Sequence, residues 1–155
     1  FKMAEPMYQL SFHEILTKVN NAKDKKKKIE VLNKYDTNEL RMLMKLAFDP
    51  KLVWKLPEEN PPYKKNEAPL GTENHIWLKA ETKKLFHYLE GGNPQLKQMK
   101  RENMFIETLE ALSDEEAKLL LHIKGKELNK VYKGLTENLV KEAFNWDDNF
   151  MRINA

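Results

Sequence analysis

Residues 113–125, SDEEAKLLLHIKG, constrain the fold more than any other stretch. Ser113 followed three residues later by Glu116 is a capping-box pattern. The hydroxyl and the carboxylate of such a pair each bond a free backbone N–H at a helix start. Behind it come Ala117, Leu119, Leu120, Leu121 and Ile123, apolar on more than one side of a helix. A helix of that kind needs neighbours on most sides. The stretch therefore predicts a central core helix ended by Gly125, with the rest of the chain packed around it.

The surroundings read as more helices. Ser11 and Glu14 form another box and start a helix through about Asn20, with Phe12, Ile15, Leu16 and Val19 on one face. Asp24 caps a helix through about Tyr35. Asp36 or Thr37 caps the next, through about Phe48, with Leu40, Leu43, Met44 and Ala47 inward. Asp49-Pro50 ends it, because proline cannot continue the ladder. Lys51–Leu56 is a short apolar piece of ambiguous type. Pro57–Gly71 holds four of the seven prolines and reads as a long loop. Thr72 caps a helix to about Glu90, with Trp77, Leu78, Leu85, Phe86 and Leu89 as its buried stripe. Gly91-Gly92 stops it. Asn93 then caps, and Pro94 takes the first helical position. That helix runs to about Leu112, with Leu96, Met99, Phe105, Ile106, Leu109 and Leu112 apolar. Lys126–Gly134 reads as a basic loop or a short extra turn. Thr136 caps a last helix with Leu139, Val140, Ala143 and Phe144 inward. The tail then either frays or docks through Trp146 and Phe150.

No strand alternation and no internal repeat is visible. The expected fold is all-α, a single compact domain of six or seven helices with one long Pro-rich loop. Residues 1–8 are read as an N-terminal tail, 9–144 as the helical domain and 145–155 as a C-terminal tail. Phe1-Lys2, ahead of Met3, are set aside as a remnant. A chain of 155 residues fits one core. No run approaches the ~18 apolar residues of a membrane helix, and no signal peptide is visible. The absence of cysteine removes disulfides, thiolate nucleophiles and Cys-ligated zinc. These features fit the cytoplasm of a cell.

Catalytic chemistry is not visible. There is no Gly-rich phosphate loop and no H-E-x-x-H. His13, His75, His87 and His122 fall on separate segments. His87 and Glu90 have helical ligand spacing, but a metal site needs more than one such pair, and a surface pair is the plainer reading. Asp147-Asp148 sits in the tail. Ser11 and Ser113 are used as caps. The expectation is no enzyme, no metal and no cofactor.

Charge is the remaining signal. The net charge is +3, unevenly spread. Residues 1–56 carry 12 Lys/Arg against 7 Asp/Glu, and the remainder 15 against 17. Lys25, Lys26, Lys27 and Lys28 fill the first turn of a helix, where cations oppose the macrodipole. With Lys23 they form one basic group. Lys97, Lys100 and Arg101 form a second, and Lys124, Lys126, Lys130 and Lys133 a third, around the Gly125–Gly134 turn. If the groups converge on one face, they would contact phosphates and read shape rather than base sequence. The plainer reading is a solvated charge run. Trp54 and Tyr63, beside Lys64 and Lys65, either stack on bases or pin the Pro-rich loop to the core.

The segments ILTKVNNAKDKKKKIEVL (15–32), LAFDPKLVWKLPEENPPYK (46–64), LEGGNPQLKQMKRENMFIETLEAL (89–112) and KGLTENLVKEAF (133–144) resemble a family of small proteins of tailed phages, common among cyanophages. That family brings no function with it. It implies a bacterial host cell as the location. More remotely, LNKYDTNELRMLMKLAF (32–48), LVWKLPEENPPY (52–63), AKLLLHIKGKE (117–127) and GLTENLVKEAF (134–144) resemble, in order and kind, the helical N-terminal DNA-binding domain of T-even phage ATP-dependent DNA ligases. In those domains the last turn helps grip the minor groove. The matching positions here are Lys124, Gly125, Lys126 and the turn up to Thr136. This chain departs from them in having His122-Ile123-Lys124 and a longer insert, and it lacks the Lys-x-Asp-Gly nucleotidyltransferase motif. The resemblance implies a DNA-binding module without catalysis.

Two readings follow. One is a non-catalytic phage accessory protein that binds duplex DNA through its backbone. The other is a protein-interaction module, an adaptor or inhibitor acting on a host or phage protein, with Trp54, Tyr63, Trp146 and Phe150 as anchors.

Overall fold

Helix starts fall where hydroxyl and carboxylate caps predict them in five places. The computed structural model describes residues 10–68 and 75–153. Helix α1 is Phe12–Asn21, α2 Lys25–Lys34, α3 Asn38–Phe48 and α4 Leu78–Glu81, which continues as a 3-10 helix over Thr82–Tyr88. Then come α5 Gln98–Ala111, α6 Asp114–Lys124, α7 Leu128–Val131 and α8 Glu137–Phe144. Ser11 Oγ accepts from Glu14 N at 3.2 Å, and Glu14 Oε1 accepts from Ser11 N at 3.0 Å, which closes the first box. Asp24, Thr37, Ser113 and Thr136 each accept from the N–H three residues on. Each cap satisfies an N–H that has no partner inside its helix.

The second box is only half formed. Ser113 caps α6, but the Glu116 carboxylate turns inward and accepts from Leu78 N at 3.1 Å, at the start of α4. Glu116 is buried and also accepts from the backbone of Phe12, at the start of α1. One carboxylate thus fixes two helix starts to α6, and burial pushes its pKa above the ordinary carboxylate range.

The predicted fourth helix is broken up. Thr72, its proposed cap, lies outside the described residues. The chain makes one α turn and then 3-10 turns, and neighbours take the two carbonyls at the end of the segment. Arg101 Nε bonds His87 O at 2.7 Å, and Lys55 N bonds Tyr88 O at 2.7 Å. Pitch changes from 3.6 to about 3 residues per turn, and Trp77 and Phe86, expected inside, are about half exposed. Helix α5 also starts later than predicted. Asn93 bonds His87 Nδ1 instead of capping, and α5 begins at Gln98 behind Lys97, which makes no side-chain cap. The segment ends at Tyr88 with Leu89 extended, ahead of the expected Gly91-Gly92 stop, and the two glycines form the turn that follows. Gly91 has φ +78°, and a Cβ on Gly92 would overlap the Phe86 carbonyl oxygen.

Among the described residues there are eight α-helices and no strand, against the six or seven helices expected. Trp54–Leu89, Ile76–Leu112 and Trp146–Arg152 make isolated bridges only. Residues 57–68 carry no helix. They are tied down by Lys64 N to Glu110 and Asn66 Nδ2 to the Ala111 carbonyl. Helix α6 is central. It packs on α1, α3, α5 and α7, with Leu119, Leu120 and Ile123 buried. Helix α2 lies against α1 and α8. The chain after α8 turns through Asn145 at φ 56° and folds back. Trp146 packs between Phe144 (5.0 Å, tilted) and Phe150 (6.0 Å, edge-on), so the tail docks on the body. The whole is one compact all-α domain. No helix of the described residues is long and apolar enough to cross a membrane.

Candidate nucleic-acid interface

The connection between α1 and α2 is three residues, Ala22-Lys23-Asp24, so the end of one helix sits against the start of the next. Lys28 Nζ reaches back across it. It donates to Ala22 O at 2.6 Å, Asn20 O at 3.2 Å and Val19 O at 3.3 Å. This satisfies carbonyls at the α1 C-terminus with a cation, where the helix dipole favours one. Gly134 lies over the same spot. Its N–H donates to Asn20 Oδ1 at 2.8 Å, and a Cβ there would come within 2.9 Å of Lys28 Cε. The turn before α8 is thereby fastened to the α1–α2 corner. Lys23, Lys25, Lys26, Lys27 and Lys133 are exposed around the junction. Lys25 pairs with Glu142 of α8. The ammonium groups of Lys23, Lys26, Lys27 and Lys133 have no hydrogen bond or ion pair among the described residues.

The other basic candidates are used differently. Lys126, at φ 56°, donates from Nζ to Asp49 O at 2.7 Å and Leu46 O at 3.0 Å, which caps the α3 C-terminus. Burial lowers its pKa. Lys124 is 7% exposed and donates to Glu58 O at 3.2 Å and Asn60 Oδ1 at 3.4 Å. Arg101 is 1% exposed. Its guanidinium bonds His87 O, Gln98 Oε1, Asn93 O and Leu96 O at 2.6–3.2 Å. Lys130 pairs with Glu127 at 3.7 Å. Lys97, just ahead of α5, and Lys100, on it, are exposed, and α5 packs on α6 and the 3-10 helix. The structure thus joins the α2 lysine run to Lys133. It turns the Lys28, Arg101, Lys124 and Lys126 head groups to backbone carbonyls.

The aromatic candidates are drawn inward. Trp146 and Phe150 are buried. Trp54 and Tyr63 are half-buried, and burial raises the Tyr63 pKa. Trp54 Nε1 is buried with no partner among the described residues. The apolar side chains that do reach the surface include Met99, 78% exposed, with Trp77 and Phe86. Sequence reasoning placed Trp77 and Phe86 in a buried stripe and Met99 among the apolar positions of helix five.

Two clusters were not anticipated. One is Glu116 with its two helix starts. The other joins α1, α6 and the end of α7: the Tyr132 hydroxyl is 2.8 Å from His13 Nδ1, and His13 Nε2 is 3.2 Å from Glu115. Burial pushes the Tyr132 pKa up to about 12, so the phenol keeps its proton. Tyr132 is buried, His13 is partly exposed and Glu115 faces solvent. Among the described residues no three His, Asp or Glu side chains come together as a metal site.

A family model matches residues 15–130, about three-quarters of the chain. The chain belongs to DUF6433, a family of unknown function. The match takes in the lysine run of α2 and the Lys126 cap, and it ends just before Lys133. No curated protein and no solved structure matches this DUF6433 chain.

Proposed function

We propose that the corner formed by α1, α2 and the Lys133–Gly134 turn binds duplex DNA along its phosphate backbone, and that the protein is a non-catalytic phage accessory factor. The observation that carries this reading is the junction at Asn20, Lys28 and Gly134. It gathers Lys23, Lys26, Lys27 and Lys133 without giving them acidic partners. Four or five cations there, with the positive N-terminal end of α2 among them, suit phosphates. The corner is chiefly a cluster of cations, so the reading is recognition by charge and shape. Lys124 and Lys126, matched to the ligase-type grip by resemblance, support the fold of the neighbouring turn and are not counted as contacts.

The test is duplex binding by Lys26→Glu/Lys27→Glu/Lys133→Glu beside a control, Lys97→Glu/Lys100→Glu. We expect the first to lose at least about tenfold in affinity, because several phosphate contacts vanish, and the control to change little. Equal losses would refute the corner.

The exposure of Trp77 and Phe86 favours a second reading, docking on a host or phage protein. In that case Trp77→Ala and Phe86→Ala would abolish the partner complex without lowering Tm, and the triple charge reversal would leave it intact.

A further inference from the structure

We propose that the cavity between residues 56–62 and α5 is a binding site for a monocarboxylate with an apolar body, and that Lys124 receives the carboxylate. This does not rest on the DNA reading. The cavity holds about 300 Å³, the lower end of the size range of small-ligand sites. Leu56, Pro57, Pro61, Pro62, Phe105 and Ile106 give it an apolar wall. Lys124 comes from the last turn of α6 and is nine-tenths buried at this wall.

The ammonium of Lys124 is incompletely served. It has three protons to donate. Two go to neutral oxygens, at 3.2 and 3.4 Å. No carboxylate forms an ion pair with it among the described residues. A buried cation without an anion is costly and is ordinarily paired. Consistent with that, burial pulls its pKa down, and the charges of Glu58 and Glu127 only partly offset this. A ligand carboxylate would supply the missing charge and accept the third proton. Hydrocarbon or an aromatic ring on the ligand would lie against Phe105, Ile106 and the proline rings.

The acidic side chains set a limit. Glu59 and Glu102 also line the cavity. Glu102 is held by Gln98 Nε2 at 3.0 Å. Both carboxylates repel an anion, a dianion more strongly than a monoanion, so a single negative charge placed at the Lys124 ammonium is the favoured form. A free carboxylic acid and the C-terminal carboxylate of a peptide share the required chemistry.

The experiment follows backbone and methyl resonances of the full chain against five probes: phenylacetate, phenylacetamide, phenylsuccinate, and the dipeptide acetyl-Ala-Phe as acid and as amide. Ligands this small bind in roughly the millimolar range, so titration runs to about 10 mM. Phenylacetate is expected to shift Phe105, Ile106 and Lys124, at least about tenfold more tightly than phenylacetamide or phenylsuccinate, since one buried ion pair is gained or opposed. Response to the dipeptide acid but not its amide assigns the site to chain termini as well, and no response to either assigns it to free acids. Lys124→Met should abolish the shifts with the fold intact. If that variant does not fold, Ile106→Trp, which fills the cavity from a half-buried position, takes its place with the same expectation. No shift with phenylacetate, or equal shifts with phenylacetamide or in the variant, would overturn the proposal.

Discussion

The backbone N–H of Gly134 donates to Oδ1 of Asn20 at 2.8 Å, which fastens the turn before α8 to the end of α1. The bond joins residues 114 apart in the chain, so it is set by tertiary packing and not by local sequence. Asn20→Ala leaves the Gly134 N–H without its acceptor. We expect a loss of about 1–2 kcal/mol, the usual cost of an orphaned, partly buried donor. DNA affinity should fall too, although no charge is removed, because Lys133 is no longer held at the corner. Chemical denaturation and duplex titration on the same sample check both. Unchanged affinity would mean that the junction does not organise the surface.

Arg101 separates the structural cations from the available ones. It sits in the stripe of Phe105 and Leu109, four and eight residues on, and its fork holds four acceptors around the Gly91–Leu96 turn. Lysine has the charge but not the planar fork. Arg101→Lys should therefore cost on the order of 2–3 kcal/mol of stability through unserved buried carbonyls. Its duplex affinity, measured well below the new Tm, should match the wild type. A selective loss of affinity would return Arg101 to the interface.

Glu116 makes stability depend on pH. Its folded pKa is raised, chiefly by burial, above the unfolded value near 4.5. The folded state then holds a proton that the unfolded state has released, so this group's contribution falls as pH rises through the window from about 4.5 to the raised value. Glu116→Gln keeps an oxygen for Leu78 N and removes the titration, so its stability curve should be flatter in that window. Glu116→Ala should lose about 2–4 kcal/mol at any pH, because two helix-start N–H groups are orphaned. Urea denaturation from pH 4 to 8 reads both, and an unchanged slope in Glu116→Gln would count against a raised pKa.

The sequence carried the helices whose starts depend on neighbours three residues away. Ser11, Asp24, Thr37 and Thr136 behave as read. The central place of α6 was also legible in its apolar density. The break between α4 and the 3-10 helix was not, and the two ends of that segment are held from distant positions, by Glu116 at Leu78 and by Arg101 and Lys55 at His87 and Tyr88. The basic groups were visible as charge but not as direction. A signal for direction did exist. Lys28 stands four residues before buried Leu32, Arg101 four before Phe105, and Lys124 four after Leu120. At that spacing each shares a helix face with the core. Lys26 and Lys27 stand off that face and are left in solvent.

The salt dependence of duplex affinity tests the central claim most directly. Four or five lysines at the α1–α2 corner should release roughly as many counterions, a slope near −4 in log K against log salt. Binding of a duplex of about 20 base pairs should therefore weaken by on the order of 100-fold between about 50 and 200 mM salt. Absence of binding at about 50 mM salt, where phosphate contacts are strong, or an affinity indifferent to salt, would contradict it.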